Sequence, residues 1–294
     1  MEQFMQQVVN GISLGSIYAL IALGYTMVYG IIKLINFAHG DVYMFGAYIG
    51  YFCMTTLKLD VLPSLLIAMV CSTILGVAIE KIAYKPLRNA TRIAVLITAI
   101  GVSLLIEYGT MFFMKAGVRT YPPMTGLMAQ KFHIKGLVIT MQQVLIVIIT
   151  IILMVLLQFI VKKTRVGKAM RAVSLDRDAA ELMGINVDTT ISFTFAIGSA
   201  LAGAAGILVG LYYNSINPLM GVMPGLKAFI AAVFGGIGII PGAMVGGYVI
   251  GVVEVFVSGY LNSMYRDAIV FAILILILIV KPSGLFGRNV REKV

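Results

Sequence analysis

SLDRDAAELMGINV, residues 174–187, interrupts a chain that is greasy almost everywhere else. Asp176, Arg177, Asp178 and Glu181 crowd into it, and Gly184 follows. Taken as a helix over 175–183, the stretch places Leu175, Ala179, Leu182 and Met183 on one apolar stripe. Acids at Asp176 and Asp178 suit a helix N-terminus, and Gly184 suits the position just past a C-terminus. So short a helix is not stable alone, since isolated helices need roughly 12–15 residues. Its apolar face must rest on something. One surface is the membrane, approached through the basic run KKTRVGKAMR just upstream. The other is a cytoplasmic protein.

The surroundings are those of an all-α polytopic membrane protein. Of 294 residues, 60% are hydrophobic and 12% charged, and the mean hydropathy is +1.01. A soluble domain carries about 25% charged residues, so this chain cannot cover a globule with polar surface. Trp is absent, which leaves the 14 Tyr to supply any interfacial aromatic belt. The net charge of +10 reflects Lys and Arg gathered between apolar runs, not a nucleic-acid face. Cys53 and Cys71 fall inside apolar runs and read as small hydrophobes. The N-terminal MEQFMQQVVNG has no basic n-region, so no cleaved signal peptide is expected.

Apolar runs approaching the ~20 residues that cross a ~30 Å core cover 8–32, 35–57, 61–80, 93–114, 139–161, 189–213, 226–258 and 268–281. The run 226–258 is too long for one helix and contains GGIGIIPG at 235–242. It divides there into a short arm, 226–238, that spans or re-enters, and a helix over 241–258. The last run extends back toward Asn262. Eight or nine spanning or re-entrant helices are expected, in one domain over 1–294. No gap is longer than 162–188, which leaves no room for a soluble catalytic domain. Alternating gaps put 15 of the 22 basic residues on one side, including Lys33, Lys81, Lys85, Arg88, Arg92, six from Lys162 to Arg177, and Lys281, Arg288, Arg291 and Lys293. Lys58, Lys115, Arg119, Lys131, Lys135, Lys227 and Arg266 fall on the other. The richer side is cytoplasmic, which sets the N-terminus outside, the C-terminus inside and the 162–188 loop inside.

Other motifs carry weaker signals. Gly11-Ile-Ser13-Leu-Gly15 matches G-x-S-x-G but opens an apolar helix, not the strand-to-helix turn that a nucleophile elbow needs. It reads as small-residue helix packing, as do Gly46/Gly50, Gly206/Gly210, Gly238/Gly242/Gly246 and Gly247/Gly251. Most of these serve contacts within the chain. In INFAHGDVYMFG (35–46), Asn36, His39 and Asp41 form a polar turn near the cytoplasmic boundary, read as a satisfied turn or a gate. Gly235 and Gly236 mark a tight cytoplasmic hairpin or a gate. Glu107 and Glu254 lie ~21 Å and ~20 Å along their helices at 1.5 Å per residue, in the outer third. They read first as structural pairs with Lys115, Arg119 or Lys227, and second as carboxylates that attract an ammonium group entering from outside.

Three longer strings decide between the two surfaces. NGISLGSIYALIALGYTMVYGIIKLINFAHGDVYMFGAYIGY (10–51), GKAMRAVSLDRDAAELMGINVDTT (167–190) and GGIGIIPGAMVGGYVIGVVE (235–254) resemble the LivH-type permease of bacterial branched-chain amino acid importers, over essentially the whole chain. Within them, Asp178-Ala179-Ala180-x-x-x-Gly184 resembles the EAA loop of ATP-binding-cassette importer permeases. Asp stands where that motif has Glu, and INVDTT replaces its usual continuation.

The resemblance implies an importer permease fold. It also implies a second, related permease subunit, two cytoplasmic ATPases that hold ATP and Mg, and a periplasmic binding protein delivering leucine, isoleucine or valine across the bacterial inner membrane. Coupling then falls on Asp178, Ala179, Ala180 and Gly184, with Leu182 and Met183 on the docked stripe. This chain has no G-x-x-x-x-G-K-[ST] loop; Gly167-Lys168 lacks both the upstream glycine and the following hydroxyl residue. It is a transport subunit and not an enzyme, and it needs no cofactor of its own. The same machinery carrying another small neutral solute (a different amino acid, urea or an amide) is the nearest alternative. An ion-coupled secondary transporter with Glu107 and Glu254 as relays is the more distant one, and it leaves residues 174–187 without a task.

Overall fold

The computed structural model describes residues 1–88, 90–123, 126–134 and 136–287. Lys135, Arg288, Arg291 and Lys293, counted in the charge balance, lie outside the described residues. The chain is helical throughout its apolar runs. It builds α1 (Glu2–Ile32), α2 (His39–Thr55), α3 (Val61–Ile79), α4 (Arg92–Met114), α5 (Met141–Lys163), α6 (Arg165–Leu175), α7 (Arg177–Leu182), α8 (Val187–Tyr213), α9 (Val222–Gly235), α10 (Ile240–Tyr260) and α11 (Tyr265–Val280). After α3 the backbone widens into a π-helical turn, Glu80–Tyr84, then tightens into a 3-10 turn, Lys85–Leu87. Among the described residues, six helices are long and apolar enough to cross a membrane. Three more, α2, α9 and α11, are shorter at 17, 14 and 16 residues.

The core is built on α1 and α8, both buried along most of their length. Glycine lets their neighbours approach at backbone distance. Gly46 on α2 faces Gly203 on α8, and Gly206 on α8 faces the Tyr43 carbonyl. Gly11 on α1 faces Val252 on α10, while Gly247 and Gly251 on α10 face Ala19 and Gly15. The glycine pairs read from the sequence are therefore contacts within the chain, and G-x-S-x-G is part of the α1–α10 seam. Helix α4 is peripheral and largely exposed.

One end of the bundle is closed by small strands. Arg119–Thr120 pairs antiparallel with Ser215–Ile216, and Lys131–Ile134 with Leu137–Thr140. Gln6 of α1 ties to this end, donating from Nε2 to the Val138 carbonyl (3.0 Å) and accepting from its N–H (2.9 Å). At the opposite end lie Lys33, α6, α7 and the α9–α10 turn. That turn is tight, as GGIGIIPG predicts. Gly236 and Gly238 take φ of 105° and 90°, and residues of 281–287 close it through Leu285 N–H to the Phe234 carbonyl (2.8 Å) and Phe286 N–H to the Gly235 carbonyl (3.1 Å).

Two helices begin inside the bundle, well short of its ends. The chain leaves α1 at Lys33, which takes φ 55° and donates its N–H to the Tyr29 carbonyl (2.9 Å). It then doubles back, so that His39, opening α2, lies against Gly24. Gly24 is ~12 Å up α1 from Ile32 at 1.5 Å per residue. His39 and Asp41 are therefore deep and buried, not at the cytoplasmic boundary, whereas Asn36 is buried nearer that end, beside Tyr84. Residues 34–38 supply an irregular entry, closed by a turn in which the His39 N–H donates to the Asn36 carbonyl (3.1 Å), and largely covered by protein, the condition under which irregular backbone is tolerated at that depth. Hydropathy registers the apolar length of 35–57 but not where its helix starts. Likewise α9 begins at Val222, after the strand at Ser215–Ile216 has returned the chain inward. Lys227 is thus a buried residue of a helix and not a loop cation.

Candidate functional site

The first constellation is the charged stretch. It is not one helix over 175–183. Leu175 ends α6, and α7 starts at Arg177. The break falls at Asp176 because its carboxylate caps the new helix, Oδ1 accepting the Ala179 N–H at 3.0 Å. Gly184 closes α7 at φ 80°, as expected of a left-handed cap. Its N–H donates to the Glu181 carbonyl (2.9 Å), and the Ile185 N–H to that of Ala180 (3.0 Å). The side chain of Ala180 is buried within the chain, whereas Asp178, Ala179 and Glu181 are exposed. Leu175, Leu182 and Met183 stand 89%, 89% and 82% exposed. Three large apolar side chains thus project from a helix pair anchored beneath by buried Met170 and Val173.

Directly after α7, Asn186 caps α8, accepting the Thr189 N–H at 2.9 Å. Asp188 then enters an ionic cluster. Arg88 bridges Asp188 and the fully buried Glu80, Lys85 reaches Asp188 at 2.7 Å, and Ser192 donates to Glu80 at 2.7 Å. The π-helical turn aims Glu80 and Tyr84 inward together. The Tyr84 hydroxyl donates to Asn36 Oδ1 at 2.9 Å. Sequence reasoning missed this cluster, although Glu80 at the end of an apolar run was a visible signal.

The second constellation lies where α2 and α9 begin. Their N-termini abut: a Cβ on Gly40 would lie 2.5 Å from the Gly221 carbonyl oxygen, and one on Gly221 2.6 Å from that of Gly40. No side chain caps either helix. Asp41 sits at this junction. Its Oδ2 accepts from Ser103 of α4 at 2.5 Å, and its Oδ1 has no partner. Glu107, one turn along α4 from Ser103, faces the same carboxylate. Both acids line a cavity of about 220 Å³, walled by Tyr25, Phe37, Ile100, Leu104, Val222 and Leu226. His39 packs edge-on against Tyr25, with ring centroids 4.7 Å apart, and its Nε2 is unpartnered.

Glu254 belongs to a separate cluster. Its Oε1 lies 2.7 Å from Lys227 Nζ, and its Oε2 accepts from the Tyr18 hydroxyl at 2.8 Å. Lys227 also approaches Asp267 Oδ1 at 2.6 Å, off the hydrogen-bonding direction. Arg266 lies 3.8 Å from Glu254. The structural pairing of Glu254 with Lys227 is as the sequence suggested. Among the described residues Glu107 pairs with no cation, neither Lys115 nor Arg119. Gly235 and Gly236 are at the end-turn and line neither acid site.

Comparison with known proteins agrees with this architecture. The family model described as "Branched-chain amino acid transport system / permease component" matches residues 7–278. The permease protein LivH of Escherichia coli (strain K12), of a high-affinity branched-chain amino acid transport system, is 44% identical over 302 residues, covering 99% of this chain and 98% of that one. BraD of Pseudomonas aeruginosa, of a system so described, is 42% identical over 301 residues with the same coverage. A chain of the solved PsaBC from Streptococcus pneumoniae superposes with a TM-score of 0.51 at 11% identity, covering 97% of this chain and 94% of that chain, a likeness of fold alone. By its full-length likeness and its membrane-crossing helices, the chain belongs to the branched-chain amino acid transport permease family.

Proposed function

We propose that this chain is one of two related permease subunits of an ATP-driven importer for leucine, isoleucine and valine in the bacterial inner membrane. The carrying observation is the exposed apolar trio Leu175, Leu182 and Met183, held on a helix pair at the end of the bundle rich in Lys and Arg. Single exposed apolar residues need no explanation, but three together on a capped element suit a docking surface. That end is cytoplasmic, the N-terminus faces the periplasm, and two ATPases holding ATP and Mg dock on α6 and α7. Asp178, Ala179, Leu182, Met183 and Gly184 form the contact. Ala180 anchors α7 from beneath. A periplasmic binding protein delivers substrate to the strand-closed end, and this chain lines half of the path.

Motion at α7 has a direct mechanical route inward. It passes through Gly184 to the start of α8, where Asp188 is clamped to Arg88 and Glu80, and through Tyr84 to Asn36 at the entry of α2. The test is co-purification of the tagged complex from its native membrane. A second permease and ATPases should be retained by the unaltered chain, and the ATPases lost in Leu182→Glu/Met183→Glu. Retention by that variant, or uptake by this chain alone driven by an ion gradient, would refute the reading.

A further inference from the structure

Among the described residues four acids are buried in this bundle: Asp41, Glu80, Glu107 and Glu254. The protein supplies a cation to two of them, Arg88 to Glu80 and Lys227 to Glu254. Among the described residues it supplies none to Asp41 or Glu107. Yet these two face each other, and a membrane-centred acid costs about 2.5–3.5 kcal/mol on insertion scales. Like charges side by side add to that cost. Asp41 is 2% exposed, and its Oδ1 is unpartnered beside the backbone of Gly221.

We propose that Asp41 and Glu107 form the transient ammonium subsite for the amino acid in transit. The assignment rests on the importer reading above and names where that importer meets its substrate. The cavity of about 220 Å³ lies just under the 300–1,000 Å³ of drug-sized pockets, as suits a smaller ligand. Its apolar walls, Phe37, Ile100, Leu104, Val222 and Leu226, take a branched aliphatic side chain. The start of α9 borders the same space through Gly221 and Val222, so the positive end of its dipole faces the carboxylate, although Pro224 has no N–H and those of Val222 and Gly225 already donate to Leu219 and Gly221. The backbone contact at Gly40 and Gly221 holds the two helix starts together. A substrate ammonium thus replaces, for the duration of passage, the cation that the chain omits.

The test uses the complete importer in proteoliposomes, with loaded binding protein outside, ATP at the ATPases and radiolabelled leucine and valine. Asp41→Asn and Glu107→Gln should each cut leucine uptake by about tenfold or more, the scale of one charge-assisted hydrogen bond. Size exclusion shows whether each variant still assembles. Leu104→Trp, at a half-exposed cavity wall, should lower leucine uptake more than valine uptake, a selectivity change that loss of folding cannot mimic. Leucine uptake by both assembled acid variants at the unaltered rate overturns the proposal. If the acid variants fail to assemble, an unchanged leucine-to-valine ratio in Leu104→Trp overturns it instead. Uptake that depends on sodium and not on the acids overturns it too. Absence of leucine uptake by the unaltered importer overturns the importer reading itself, a different result.

Discussion

Removing Lys227 should cost more than removing its partner Glu254. The two side chains are 4% and 3% exposed. Without Lys227, Glu254 keeps only the Tyr18 hydroxyl at 2.8 Å and Arg266 at 3.8 Å, the latter from a side chain 43% exposed. Stranding one member of a buried pair costs roughly 3–5 kcal/mol. Without the Glu254 charge, in Glu254→Gln, Lys227 still faces Asp267 at 2.6 Å, and the amide oxygen can still accept from Tyr18. The loss is then nearer that of a single hydrogen bond to a charge, about 1.5–3 kcal/mol. At about 2–4 °C per kcal/mol, Lys227→Met lowers the unfolding midpoint by roughly 6–20 °C and Glu254→Gln by roughly 3–12 °C. Because the chain has no Trp, melting of the detergent-purified complex followed by loss of helical circular dichroism measures both. The double variant removes the stranded charge and should melt above Lys227→Met alone. A Glu254→Gln midpoint below that of Lys227→Met, or a strictly additive double variant, would show that the pair does not hold α9 as described.

The remaining expectations follow from the same accounting of partners. Arg88→Ala strands fully buried Glu80 and should destabilise the complex by roughly 3–5 kcal/mol, whereas Lys85→Ala, removing a pair half exposed on both sides, should cost under about 1 kcal/mol; paired melting curves decide. Leu182→Glu and Met183→Glu should change stability by less than about 0.5 kcal/mol, since both sites are exposed, while abolishing ATPase retention. A Cβ at Gly206 would collide with the Tyr43 carbonyl, whereas one at Gly101 meets nothing within 4 Å. Gly206→Val should therefore prevent assembly, and Gly101→Ala should raise stability by about 0.5–1 kcal/mol, read as yield and midpoint.

What the sequence revealed, and what it hid, divides along physical lines. Span positions, the break at 235–242, the cap at Gly184 and the glycine seams were legible, because each depends on local composition or a local backbone requirement. The division between α6 and α7 was legible in principle, since Asp176 is a strong N-cap residue, but the apolar stripe through Leu175 concealed it. The deep starts of α2 and α9 were not legible. An irregular stretch such as 34–38 is as apolar as a helix and counts equally in any hydropathy window. Lys227 was misplaced for the same reason: one cation beside an apolar run reads as its edge, and only tertiary packing reveals that Glu254 and Asp267 await it inside.

The buried acids of this permease separate into fixed and open sites, and geometry explains why both are needed. A helix that begins in mid-membrane cannot rely on its own length for its position. Helix α9 has 14 residues, so Lys227 pins it to α10 and α11 through Glu254 and Asp267. Helix α2 is held at its start differently, through the Tyr84–Asn36 hydrogen bond and the Gly40–Gly221 backbone contact. Among the described residues the first attachment makes no side-chain hydrogen bond or ion pair with α6 or α7. The second belongs to the turn that also carries Glu80, Arg88 and, through Asp188, the start of α8. A displacement of α7 therefore bears on α2 while α9 stays anchored. It acts at the junction where Asp41 faces Glu107, so the buried acid pair left without a cation among the described residues lies between a movable helix start and a fixed one.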